Sequence, residues 1–220
     1  MIEEITMQHV LPRVFLGSEH ESPVKDSELW LKPEVVFSRG RYYLIEAESG
    51  TGKSSLCSYI YGLRRDYDGY ILIDGKDVKY FSIDRWCELR RRGIAYLPQE
   101  MRLFPELTVM ENIGIKNRLT SYKSEKEIME FLERLEIAHK ADVPAGRLSV
   151  GQQQRVAIIR ALCQPFDFLL IDEPVSHLDS RNNQIVASLI DEEAKKTGAG
   201  IIATSVGNKI QLPEYKLMRL

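Results

Sequence analysis

Apolar and polar positions along the chain fall into two rhythms: short, near-continuous apolar runs, and longer stretches with a helical period. Arg41-Tyr42-Tyr43-Leu44-Ile45 is a β-prone run ending in a glycine-rich turn. A helix is expected after it, from about residue 52 to 61, closed by Gly62. Ile71-Leu72-Ile73 followed by Asp74-Gly75 predicts a strand entering a tight turn, and Ile94-Ala95-Tyr96-Leu97 predicts another, stopped by Pro98. Two capping boxes, Thr108 with Glu111 and Ser124 with Glu127, mark consecutive helix starts. After the second, Ile128, Phe131, Leu132 and Leu135 form one apolar face. Ser149 opens a helix carrying Val156, Ile158, Ile159 and Leu162, which Pro165 ends, and residues 180–196 form another closed by Gly198. Phe168-Leu169-Leu170-Ile171 and Gly200-Ile201-Ile202-Ala203 read as strands buried on both faces.

Strands alternating with helices predict an α/β fold with a mainly parallel sheet. The capped helices around 108–138 have no strand between them and predict a helical subdomain, approximately residues 100–150, inserted into the α/β core. Residues 17–25 read as a surface loop between two early strands. No internal repeat or low-complexity tract divides the chain, so a single domain over residues 1–220 is expected.

Composition narrows the chemistry. The 30 Lys+Arg against 32 Asp+Glu leave a net charge of -2, which offers no electrostatic footprint for nucleic acid. Apolar runs are strand-sized, far short of the roughly 20 residues that span a bilayer. The acidic start Met1-Ile2-Glu3-Glu4 lacks the basic region of a secretory signal. Cys57, Cys87 and Cys163 are odd in number and widely spaced, and read as reduced core thiols of a cytosolic protein. His9, His20 and His139 show no metal-ligand spacing. Arg90-Arg91-Arg92 before Gly93 read as charges complementing the dipole of the helix that they end.

Ala47-Glu48-Ser49-Gly50-Thr51-Gly52-Lys53-Ser54 fits the phosphate-loop pattern except at its first position. Glycines let successive backbone N–H groups turn toward phosphate oxygens, and a helix N-terminus adds about half a positive charge. Lys53 would reach the β- and γ-phosphates, and the Ser54 hydroxyl would ligate Mg²⁺; Ser55 extends the cradle. Ala47 is harmless if its φ is negative, which is the expectation. Asp172 and Glu173 stand at the carboxyl end of a buried strand, where ligands of open α/β sheets bind. Asp172 would hold Mg²⁺, and Glu173 would orient or deprotonate the attacking water.

Leu148-Ser149-Val150-Gly151-Gln152-Gln153-Gln154-Arg155 resembles the signature sequence of ATP-binding cassette (ABC) ATPases, and the helix sequence after it matches too. The resemblance covers essentially the whole chain, most nearly bacterial stand-alone cassettes of the lipoprotein-release, cell-division and macrolide-export type. It implies a P-loop NTPase core, N-terminal antiparallel strands, and ATP and Mg²⁺ as cofactors. Leu97-Pro98-Gln99 resembles the family's Q-loop, so Gln99 would touch Mg²⁺. Ser176-His177-Leu178-Asp179 resembles the D-loop, so Asp179 would contact an opposing subunit. Two copies, or one copy and a paralogous cassette, would sandwich two ATP molecules. Each ATP would lie between one subunit's Glu48–Ser55 loop and the other's Ser149, Gly151 and Gln152. The partner would be a separate transmembrane permease, with the cassette peripheral on the cytoplasmic face of the cell membrane. Phe15 is the candidate adenine platform, with Tyr42 and Trp30 read as core or edge residues.

Two positions depart from the family pattern. Val150 replaces the first glycine of a Gly-Gly pair, and an ordinary φ is expected there. Ser205 stands where the family places a histidine that contacts the γ-phosphate. Hydrolysis slowed by about 10²–10³ is one expectation, the range for losing one transition-state donor. Compensation by another group is the other. Three functions follow: a transporter ATPase, a hydrolysis-impaired nucleotide-gated regulatory cassette, and a chromosome-type cassette. The third is disfavoured because the chain has no room for a long coiled coil between Lys53 and Leu148.

Overall fold

The computed structural model describes residues 1–48 and 50–220. The elements are β1 (Glu4–Pro12), β2 (Val35–Ser38), β3 (Tyr42–Glu46), α1 (Lys53–Ile60), β4 (Tyr67–Ile73), β5 (Lys76–Asp77), α2 (Ile83–Glu88), β6 (Ile94–Leu97), α3 (Val109–Asn117), α4 (Glu125–Arg134), α5 (Val150–Leu162), β7 (Phe168–Asp172), α6 (Ser180–Thr197), β8 (Gly200–Ser205) and β9 (Lys216–Arg219). They form an antiparallel sheet in the order β2-β1-β4-β5 and a parallel sheet in the order β6-β7-β8-β3-β9.

Strands β3, β6, β7 and β8 are buried on both faces, and their side chains alternate between two cores. Leu44, Ala95, Leu97, Leu169, Ile171, Ile201 and Ala203 pack with α3 to α6. Tyr43, Ile45, Ile94, Phe168, Leu170 and Ile202 pack with α1 and the antiparallel sheet. That two-residue period explains why these strands read as unbroken apolar runs. All three capping boxes, at Thr108, Ser124 and Ser149, are formed. Gly198 closes α6 in the left-handed region at φ 65.

Three details differ from the sequence reading. The strand at 71–73 is the end of the longer β4, whose partner β1 is interrupted by a bulge near His9 (φ 51). Strand β9 pairs with β3, and no sequence signal announces it, because its half-exposed edge carries no continuous apolar run. Arg90 does complement a helix C-terminus, but that of α1. Its Nε donates to the Tyr61 carbonyl at 3.2 Å and its Nη2 to the Gly62 carbonyl at 2.9 Å.

The segment between β6 and α3 is held by Arg160, which donates to the Met101 and Arg102 carbonyls, and by one buried amide. Asn112, 0% exposed, accepts from the Phe104 N–H at 2.9 Å and donates Nδ2 to the carbonyls of Phe104, Leu107 and Thr108 at 3.0 Å each. Replacing it by an apolar residue leaves the Phe104 N–H without its acceptor, whereas the three carbonyls keep backbone N–H partners. Asn112→Leu is expected to lower the unfolding free energy by about 2–3 kcal/mol in urea titrations.

Candidate functional site

The carboxyl ends of β3, β6, β7 and β8 emerge at one edge of the parallel sheet. Glu46 pairs with Ser205, Asp172 with Thr204 and Leu97 with Ile171. After β3 the chain turns through Gly50 (φ 86) and Gly52 (φ 102), both left-handed, and Gly52 caps the N-terminus of α1. A side chain on Gly52 would be strained by that φ and would stand 3.1 Å from the Trp30 ring. Trp30, 1% exposed, donates Nε1 to the Thr51 carbonyl at 3.1 Å, and Phe15 packs beside the same glycine. Ala47 is absent from the left-handed residues, in line with expectation. Ser49 falls outside the described residues.

Lys53 is 5% exposed. Its Nζ donates to the Glu48 carbonyl at 2.6 Å and lies 3.8 Å from Glu173 Oε1. Burial holds its ammonium below the usual lysine range, and the carboxylates of Glu173 and Asp172 partly offset this. Gln99 donates Nε2 to Glu173 Oε2 at 3.3 Å. Gly50, Gly52, Lys53, Ser54, Ser55, Gln99 and Glu173 line one open cleft of about 310 Å³. Cys57 and Cys163 are buried as expected, burial pushing the Cys57 thiol well up, whereas Cys87 is exposed and no core thiol, because it lies on the solvent side of α2.

Asp172 sits behind Glu173 at 2% exposure, its Oδ1 accepting from the Thr204 hydroxyl at 2.6 Å. Glu173 itself has φ 51, which costs a non-glycine residue about 1–2 kcal/mol. Asp172, Ser54 and Gln99 offer only oxygen donors, one of them charged. That set fits Mg²⁺, which takes one or two carboxylates together with phosphate and water.

Other predicted residues lie outside that cleft's lining. The Ser205 hydroxyl is buried and donates to the Asn208 carbonyl at 2.9 Å. Phe15 reaches the loop at Gly52 but not the cleft wall. Ser149 and Gln152 satisfy each other across the capping box at the start of α5. Val150 has an ordinary φ and is half exposed. Gly151 lies against the His177 carbonyl, where an added Cβ would stand at 3.0 Å. Asp179 caps α6, and the Asn182 N–H at 2.8 Å holds its carboxyl below the usual range. The start of α5 and the loop before Asp179 thus form a second, adjoining patch.

Sequence reasoning missed Thr204 and Gln154. Each is a buried polar side chain, one ending an apolar strand and the other facing inward among the apolar residues of α5. That anomaly was their only signal.

A family model described as ABC transporter matches residues 33–176. The ribose import ATP-binding protein of Bacillus licheniformis is 35% identical over 173 residues, which are 76% of this chain and 34% of that protein. The chain therefore spans about a third of the length of that relative. The ABC transporter ATP-binding protein YtrE of Bacillus subtilis is 33% identical, with 83% and 78% covered. The lipoprotein-releasing system ATP-binding protein LolD of Francisella tularensis is 28% identical, with 90% and 84% covered. Among solved structures, a bacterial Atm1-family ABC exporter with ATP bound superposes with a TM-score of 0.72 at 25% identity, over 93% of this chain and 34% of that one. A dimeric bacterial ABC transporter cassette superposes at 0.76 and 24% identity, over 98% and 94%, which speaks to the fold.

Bound phosphates would return the lowered Lys53 toward its protonated form. In the alkaline window between its free and bound pKa, triphosphate binding is therefore expected to take up a proton, and affinity to fall as pH rises. Calorimetry in alkaline buffers of differing ionisation enthalpy measures that uptake, which should vanish in Lys53→Met.

Proposed function

Because the chain belongs to the ABC transporter family, we propose that it binds and hydrolyses MgATP at a head-to-tail dimer interface and so drives a separate membrane permease. The observation that carries this reading is the convergence of Lys53, Gln99 and Glu173 on one cleft at the mouth of the parallel sheet. The backbone around Gly50 and Gly52 cradles the phosphates, and Lys53 exchanges the Glu48 carbonyl for phosphate oxygens. Glu173 accepts the proton of the attacking water, with Gln99 steadying its other oxygen. Ser54, Asp172 and Gln99 would hold Mg²⁺, which supplies charge neutralisation along the phosphates. Phe15 stacks on the adenine.

The adjoining patch of Ser149, Gly151, Gln152 and Asp179 serves the nucleotide of a second copy or of a paralogous cassette. A self-complementary two-fold pairing makes each patch complete the other copy's cleft. Among the described residues no helix is long and apolar enough to cross a membrane. The reading places this cassette peripherally on the cytoplasmic face, bound to its permease. The names of the relatives, which include ATP-binding proteins of ribose import and lipoprotein release, support the transport role and leave the cargo to the permease.

One observation favours a second reading. Ser205 turns its hydroxyl into its own loop, which suits a nucleotide-gated cassette with slow turnover. Glu173→Gln is expected to lower kcat by about 10²–10⁴ and to accumulate an ATP-bound dimer in size-exclusion chromatography. Lys53→Ala is expected to weaken ATP binding by about 10–100-fold, read by calorimetry. Ser205→His is expected to raise kcat by about 10²–10³. An unchanged rate would mean that another group already serves the γ-phosphate.

A further inference from the structure

The backbone of Glu173 is tied on both sides. Its left-handed φ of 51 turns the chain sharply between Asp172 and Pro174 and so fixes where the carboxylate starts. Its N–H donates to Thr204 Oγ1 at 3.2 Å. The single proton of that hydroxyl goes to Asp172 Oδ1 at 2.6 Å, so one buried group, 0% exposed, is oriented from both ends. The Glu173 carbonyl accepts from Gln154 Nε2 at 3.2 Å and from Ser176 Oγ at 3.3 Å. Gln154, 3% exposed, also accepts the His177 N–H on Oε1 at 3.3 Å, so its one amide spans the loop from Glu173 to His177. It stands one turn into α5, the helix capped by Ser149.

We propose that Thr204 and Gln154 are positioning residues for hydrolysis, clamping the two peptide units that flank Glu173, and that Gln154 ties the placement of this carboxylate to the helix beginning at Ser149. The inference rests on Glu173 acting as the base. Its consequence is directional. A triphosphate that engages the start of α5 shifts the helix holding Gln154, and Gln154 passes that shift to the Glu173 of its own chain. Thr204 joins the backbone N–H of Glu173 to the Asp172 carboxylate, so the peptide that places the base and the residue assigned to the cation share one buried hydroxyl.

Three variants separate the parts. Thr204→Val keeps the shape and removes both hydroxyl bonds, Thr204→Ser keeps the hydroxyl, and Gln154→Met removes all three amide contacts, to the Glu173 carbonyl, Ser176 Oγ and the His177 N–H, at similar volume. Thr204→Val and Gln154→Met are expected to lower kcat by about ten- to hundredfold, with the KM for ATP and the Kd of a fluorescent ATP analogue within about twofold of the parent. Thr204→Ser is expected to recover kcat to within about threefold. The Mg²⁺ concentration that half-saturates analogue binding should rise in Thr204→Val alone, because only Thr204 touches Asp172. Unchanged kcat in both Thr204→Val and Gln154→Met overturns the proposal, as does a loss confined to KM, or a serine variant as slow as the valine one. If Thr204→Val does not fold, Gln154→Met decides in the same way. Glu173→Gln separates this inference from the reading beneath it. Full turnover in that variant removes the base itself, whereas an inactive Glu173→Gln beside a fully active Gln154→Met removes only the clamp.

Discussion

The register of four parallel strands is the constraint on which the site depends. Asp172 opposes Thr204, and Glu46 opposes Ser205, so the phosphate loop, the acidic pair and the end of β8 leave the sheet at one level. Opposed residues in adjacent strands share a face, which is why the Thr204 hydroxyl can reach Asp172 at 2.6 Å. A slip of one residue would send every side chain of the strand to the other face. Burial on both faces forbids that slip: Leu170 and Ile202 would move into the core that Ile171 and Ala203 now fill. Apolar packing thus sets the position of the polar chemistry, although no apolar residue takes part in it.

Much of this was legible because local signals agreed with the global fold. Capping boxes at Thr108 and Ser124, the glycines at 50 and 52 and the unbroken run before Asp172 each state a backbone requirement in their own residues. What was not legible depends on partners distant in sequence. Strand β9 exists because β3 offers it an edge. Arg90 serves α1 because the turn after α2 carries it to the Tyr61 carbonyl. The left-handed Glu173 is the clearest case. Nothing about a glutamate before proline announces φ 51, and the bonds that hold it come from positions 154 and 204.

The cleft also shows how the protein stores its charge. Lys53 is nearly buried, and a buried ammonium without partners is costly. The Glu48 carbonyl and the Glu173 carboxylate lie against it, at 2.6 and 3.8 Å. These contacts keep the lysine in place without satisfying it fully, as its depressed titration indicates. On the proposed function, a polyphosphate would enter a site already charged and oriented and exchange one set of acceptors for a better one. The same entry would release Glu173 from the lysine and free its oxygen to face the attacking water.

Ser205 is where this chain departs furthest from its family resemblance, and the geometry limits what the departure does. The backbone at that position keeps a structural role, since the Ser205 carbonyl accepts the Ala47 N–H at 3.2 Å and so joins the end of β8 to the start of the phosphate loop. Its side chain instead donates to the Asn208 carbonyl. The groups that place Glu173 are Thr204 and Gln154, and neither bonds to the Ser205 side chain. On the proposed function, water activation and γ-phosphate contact would therefore be separable. A chain that lost the second while keeping the first would bind, close and still possess its base. Its turnover would then depend on how well the N–H groups of the loop stabilise the transition state without an imidazole beside them.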